Sequence, residues 1–145
     1  MTCKLTMTLI SEGQEGNCGD DWMYDIEAKV FSEGLKGQAK VHVPKHTLDS
    51  GTVQEPFGSP EPVVLYTGEC NGEVLVRMEL TATEVDLFIN DVGKASKDIR
   101  IECPGSAGHK VTREVDISAG VRESPGIRHK NSVFTLRVRF QLGSE

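Results

Sequence analysis

Asn71-Gly72, set between the alternating runs Val63 to Glu69 and Val74 to Leu80, constrains this chain more than any other pair of residues. Asn and Gly tolerate the left-handed backbone of a tight turn, and between two strand-like runs they are the strongest short-range sign of an antiparallel hairpin. The pair predicts that the two runs bond to each other and that the protein is an antiparallel β structure.

The same period of two recurs along the chain. Cys3, Leu5, Met7 and Leu9 fall on one side of a first strand, Cys3 to Ile10, and Ser11 to Asp21 reads as a glycine-rich acidic loop. Trp22, Tyr24, Ile26, Ala28 and Val30 then oppose Asp25, Glu27 and Lys29, the pattern of a half-buried strand. After a Glu33-Gly34 turn, Ala39, Val41 and Val43 alternate up to Pro44, which has no amide hydrogen for a neighbour and so ends or edges its strand. Lys45 to Pro62 reads as a long loop crossing between sheets, with room for a short helical turn at Lys45 to Leu48.

Beyond the Asn-Gly turn, Val74, Val76, Met78 and Leu80 share a face, whereas Val85, Leu87 and Ile89 have the opposite parity. One extra residue near Thr83-Glu84, a β-bulge, accounts for that flip. Asn90 to Gly93 reads as a turn, Ile99-Ile101-Cys103 as a strand, Pro104 to Gly108 as a loop, and Val111 to Ile117 as a strand broken at Ala119-Gly120. Phe134, Leu136, Val138, Phe140 and Leu142, opposed by Thr135, Arg137, Arg139 and Gln141, form the clearest strand of all.

About eight or nine short strands with little helix describe an all-β fold, a two-sheet antiparallel β-sandwich of jelly-roll or Greek-key type. A closed barrel is the alternative. At 145 residues one core suffices, and residues 1–145 are expected to form a single domain.

The net charge of −6, with basic residues scattered among 22 acidic ones, disfavours nucleic acid, whose phosphates demand a basic patch. The nearest basic run, Arg122 to Lys130, holds Pro125 and Gly126 and reads as a solvated loop. No apolar stretch is long enough to span a membrane, and Met1 to Leu5 lacks the basic start and apolar run of a secretory signal, so a cytoplasmic location is the expectation. Cys3, Cys18, Cys70 and Cys103 contain no Cys-x-x-Cys, and a domain of this length does not need staples; free thiols are expected, with Cys3 and Cys103 as small core residues.

Acidic residues gather in two segments, Glu12, Glu15, Asp20 and Asp21 in the first loop and Glu84, Asp86, Asn90 and Asp91 near the middle of the chain. Loops at one end of a sandwich can meet, and a hard cation takes six to eight oxygens from such groups. Asp20, Asp21, Glu84, Asp86 and Asp91 are therefore candidate metal ligands, with calcium the candidate cofactor. On the bland reading Glu84 and Asp86 are the outer side of a strand and Asn90-Asp91 are turn formers.

Asp86-x-x-x-x-Asp91-x-Gly93 resembles the third calcium loop of the calcium-dependent phospholipid-binding domains of signalling kinases and synaptic proteins, with Asp20-Asp21 where such a domain's first loop offers acids. The spacing is one or two residues shorter than the family pattern, and apolar Leu87 to Ile89 replaces a polar loop. The resemblance implies calcium binding and contact with a membrane surface.

Trp22, with Tyr24 and Tyr66, motivates a second expectation, stacking of a carbohydrate or other small ligand on Trp22 and Tyr66. The competing reading puts Trp22 in the core with Ile26 and Val30. Catalysis has less support: no Gly-x-Ser-x-Gly, His-Glu-x-x-His or phosphate-cradling glycine motif occurs, and Pro44 keeps His42 and His46 off a common helix face. His42 is expected to point out of an edge strand, with His46, His109 and His129 in loops. A carboxylate pair assembled across loops is the one catalytic route the sequence leaves open. The leading reading is a non-catalytic binding or assembly module that meets a protein partner or a second copy of itself.

Overall fold

The computed structural model of the protein describes residues 1–87, 89–123 and 130–144. Nine strands run through them: β1 (Thr2–Gly16), β2 (Asp21–Phe31), β3 (Leu35–Thr47), β4 (Thr52–Gln54), β5 (Val63–Glu69), β6 (Glu73–Glu84), β7 (Asp91–Glu102), β8 (Lys110–Arg122) and β9 (Asn131–Ser144). They form two antiparallel sheets, one ordered β4-β1-β9-β8 with β5 also on β1, the other ordered β3-β2-β6-β7. The expected two-sheet antiparallel sandwich is the fold, and no helix among the described residues is long and apolar enough to cross a membrane.

Alternation builds the core as anticipated. Trp22, Tyr24 and Ile26 of β2, Met78 and Leu80 of β6, and Phe134, Leu136 and Phe140 of β9 are fully buried between the sheets. Each such side chain contributes about 1.5–3 kcal/mol by leaving water. The outward residues pair across strands, Arg137 with Asp116 at 2.9 Å, Arg139 with Glu114 at 3.2 Å and Arg77 with Asp98 at 3.0 Å. Exposed pairs of this kind add little stability and keep the outer faces polar.

The Asn71-Gly72 expectation is corrected. Gly72 does take a left-handed φ of 74°, but β5 bonds to β1 and β6 bonds to β2 and β7, so the turn carries the chain from one sheet to the other and closes no hairpin. Sequence reads the turn conformation, whereas pairing is decided by which face of the core each flanking strand covers. The turn is clamped by a Cys70–Cys103 disulfide, Cα atoms 5.8 Å apart, and by Cys103 N–H donating to Gly72 O at 2.8 Å. The expectation of four free thiols therefore fails for these two; Cys3 and Cys18 are free, and Cys3 is buried as expected.

Four boundaries also move. Ser11 to Gly16 continues β1 and is no loop, because Ile10 is an extra residue: Leu9 faces Val138 while Ser11 faces Arg137. A bulge reverses which side chains point inward, so Glu12 and Gln14 point into the core where strict alternation would point Ser11 and Gly13. β3 passes through Pro44 to Thr47 instead of turning helical, with a register shift opposite Met23, and β3 is the edge strand that a proline requires. No bulge exists at Thr83-Glu84: β6 pairs in unbroken register with β2 and β7 to Glu84, and Val85 to Asn90 is the connection to a β7 that begins at Asp91. β8 likewise runs unbroken through Ala119-Gly120 to Arg122.

The sheets touch at both margins. A Cβ at Gly37 of β3 would run into the Leu65 carbonyl oxygen of β5, and a Cβ at Gly93 of β7 into the Gly120 carbonyl oxygen of β8. Lys97 of β7 also donates to Asp116 O of β8 at 2.7 Å.

Candidate functional site

The acidic loops meet at one end of the sandwich. Glu84 closes β6 between Trp22 of β2 and Asp91 of β7, and Val85 N–H donates to Asp21 O at 2.7 Å, which ties the β6–β7 connection to the start of β2. Asp86 accepts from Leu87 N–H at 2.7 Å and donates its own amide hydrogen to Asn90 Oδ1 at 3.1 Å. Glu84 is only 5% exposed, and its Oε2 has no hydrogen-bond partner. Its carboxyl lies against Gly19 so closely that any side chain there would strike it.

Burial, followed by the charges of Asp86, Asp91, Asp21 and Asp20, pushes the Glu84 carboxyl up to about 7. The other four expected metal ligands thus all act on Glu84. Glu84 and Asp91 are buried, whereas Asp20, Asp21 and Asp86 are exposed around them. Among the described residues no three His, Cys, Asp or Glu side chains already stand as a cage for a metal ion. Leu87, 90% exposed, and Ile89 project from the same connection. The basic run Arg122 to Lys130, including His129, lies largely outside the described residues.

A second polar group was not legible in the sequence. Glu12, 0% exposed, accepts at Oε1 from Tyr24 O–H and from Phe57 N–H, both at 2.9 Å, and at Oε2 from Gln54 Nε2 at 3.0 Å. His46 Nε2 meets the same Oε2, and His46 Nδ1 lies 2.8 Å from Pro44 O. A carbonyl oxygen only accepts, so Nδ1 carries a hydrogen and the His46–Glu12 contact shares one further proton. The Phe57 ring stacks on His46 at 4.6 Å, and Tyr24 approaches it edge-on at 6.3 Å. The Tyr24 hydroxyl is pushed well above its ordinary range by burial, with the Glu12 charge and hydrogen bond adding to it.

Every lone-pair direction of Glu12 is taken, and both His46 nitrogens are committed. Such a group holds β1, β2, β3 and the Gln54–Phe57 segment together but has no free valence for a substrate proton. The buried His46 replaces the loop histidine that the sequence predicts; His42 does point outward from an edge strand, against Asp25 at 2.8 Å.

Trp22 and Tyr66 do not converge. Trp22 is enclosed in the core, stacked on Phe134 at 5.6 Å, with its indole N–H donated to Gly19 O at 2.9 Å, so it pins the β1–β2 loop and offers no ring face. Tyr66 lies at the opposite end, beside the Cys70–Cys103 disulfide. No protein-family model matches this chain, and no curated protein matches it in sequence.

Proposed function

We propose that this protein is a non-catalytic binding module that works through the end of the sandwich formed by the β1–β2 and β6–β7 connections. The observation that carries this reading is Glu84, a buried carboxyl oxygen without a hydrogen-bond partner amid the charges of Asp20, Asp21, Asp86 and Asp91. Buried acceptors are almost always satisfied, and one left open beside like charges is suited to a cation. Calcium fits the all-oxygen donor set, with the exposed aspartates closing on the ion that Glu84 and Asp91 anchor. The exposed Leu87 and Ile89 supply an apolar rim for the partner or membrane surface that the ion would recruit. The spent valences of Glu12 and His46 support the non-catalytic half of the reading.

A thermal melt tests it. Addition of millimolar calcium to EDTA-stripped protein is expected to raise the Tm by several degrees, more than magnesium does, because a ligand of the native state alone stabilises by mass action. Asp91→Asn is expected to remove the calcium shift. Equal melts with EDTA and calcium would overturn the cation reading.

A further inference from the structure

The opposite end of the sandwich carries an open cleft of about 690 Å³ between the β2–β3 and β5–β6 turns. Tyr66 gives it an aromatic surface, Phe31 adds a ring that the Arg77 guanidinium covers at 5.4 Å from the centroid, and Lys36, Asn71, Glu73 and Arg100 give it hydrogen-bonding groups. Its parts are held before any ligand arrives. The Tyr66 ring lies over Gly68, where a Cβ would fall 2.7 Å from the hydroxyl oxygen, and that hydroxyl donates to Glu69 O. Asn71 sits in the turn clamped by the Cys70–Cys103 disulfide, and Arg100 pairs with Glu73 at 2.9 Å. Glu69 is likewise neutralised, by the chain's amino terminus at 2.7 Å.

From this geometry we infer that the cleft is a binding site for a neutral, hydroxyl-rich ligand, a saccharide. A pyranose presents an apolar C–H face and a rim of hydroxyls, so it needs a fixed ring to lie on and planar polar groups at the ring's edge. Arg100 pairs with Glu73 and Glu69 with the amino terminus, and Lys36 and Glu33 add one charge of each sign, so the cleft has no concentrated charge, which disfavours phosphates and polycations. The clamped turn and the tethered Tyr66 hydroxyl lower the ordering cost that weakens most sugar sites. This inference is independent of the cation reading, since the two sites occupy opposite ends.

The test is amide chemical-shift mapping of the isotopically labelled protein against glucose, galactose, mannose, N-acetylglucosamine and their short oligomers. At least one sugar is expected to shift the amides of Lys36, Tyr66, Asn71 and Gly72 in a saturable manner and to leave those of Asp86 and Asp91 unmoved. Tyr66→Ala is expected to weaken binding about tenfold or more, the loss of one stacking platform. Asn71→Ala, on an exposed turn, provides a second variant that keeps the fold. No saturable shift with any of these sugars, or shifts confined to the other end, overturns the assignment.

Discussion

Glu12 and Tyr24 meet inside the core, carboxylate to hydroxyl at 2.9 Å, from neighbouring positions on two different sheets. The contact exists because Ile10 is an extra residue in β1 and turns Glu12 away from solvent. With His46, Gln54 and the Phe57 amide it makes a closed polar group beside the apolar core.

Removing one member leaves the others buried without partners. Glu12→Ala is expected to cost about 3–5 kcal/mol, the range for breaking a buried pair, and Tyr24→Phe about 1.5–3 kcal/mol, one hydrogen bond to a charged group. Urea unfolding checks both. A Glu12→Ala protein within 1 kcal/mol, on the order of an exposed ion pair, would show that the group contributes no net stability.

The raised Tyr24 hydroxyl adds a pH dependence at the alkaline side. The native state keeps the proton where the unfolded chain loses it near the ordinary tyrosine value of about 10, so this contribution is intact below that value and is lost as pH climbs past it. Tyr24→Phe should flatten the alkaline fall in Tm.

Glu84 acts in the neutral range. Its folded carboxyl is raised from 4.5 to about 7, so the protonated native form is favoured, and its stabilising effect is complete below the unfolded value and disappears as pH rises from there through 7. Wild type should melt lower at pH 8 than at pH 5.5, and Glu84→Gln should remove most of that difference while raising the Tm at pH 8. A calcium-induced rise in Tm should be larger at pH 8, because the cation competes with the proton for the same oxygen. An unchanged pH profile in Glu84→Gln would refute the assignment.

The Cys70–Cys103 bond spans a separation of 33 residues. Loop-closure entropy for that span corresponds to about 3–4 kcal/mol lost on reduction. Ellman titration of the denatured, unreduced chain should find two thiols per molecule, from Cys3 and Cys18. Four thiols would show that the bond does not form.

Gly37→Ala and Gly93→Ala each force a methyl against a backbone carbonyl of the other sheet. Overpacking against backbone is expected to cost about 1–3 kcal/mol each. Wild-type stability in both variants would mean that the sheet margins separate freely.

Much of this fold was legible because its strands alternate cleanly. Trp22 to Val30 and Phe134 to Leu142 bury the residues their pattern selects. Partners were not legible, since a turn such as Asn71-Gly72 fixes local dihedrals, while β5 and β6 are claimed by different sheets through contacts far away in sequence. The five carboxylates at the loop end could be grouped from the expectation that loops at one end of a sandwich meet. The Glu12–His46 pair could not, because a single bulge, marked only by apolar Ile10 breaking the odd-numbered series, decides which way Glu12 points.

The pairing state of Ile10 therefore governs the polarity of the sandwich interior at this end. Were Ile10 paired like its neighbours, the same sequence would put Glu12 and Gln14 on the water side, so one residue left out of the ladder is enough to give an apolar sandwich an ionisable heart.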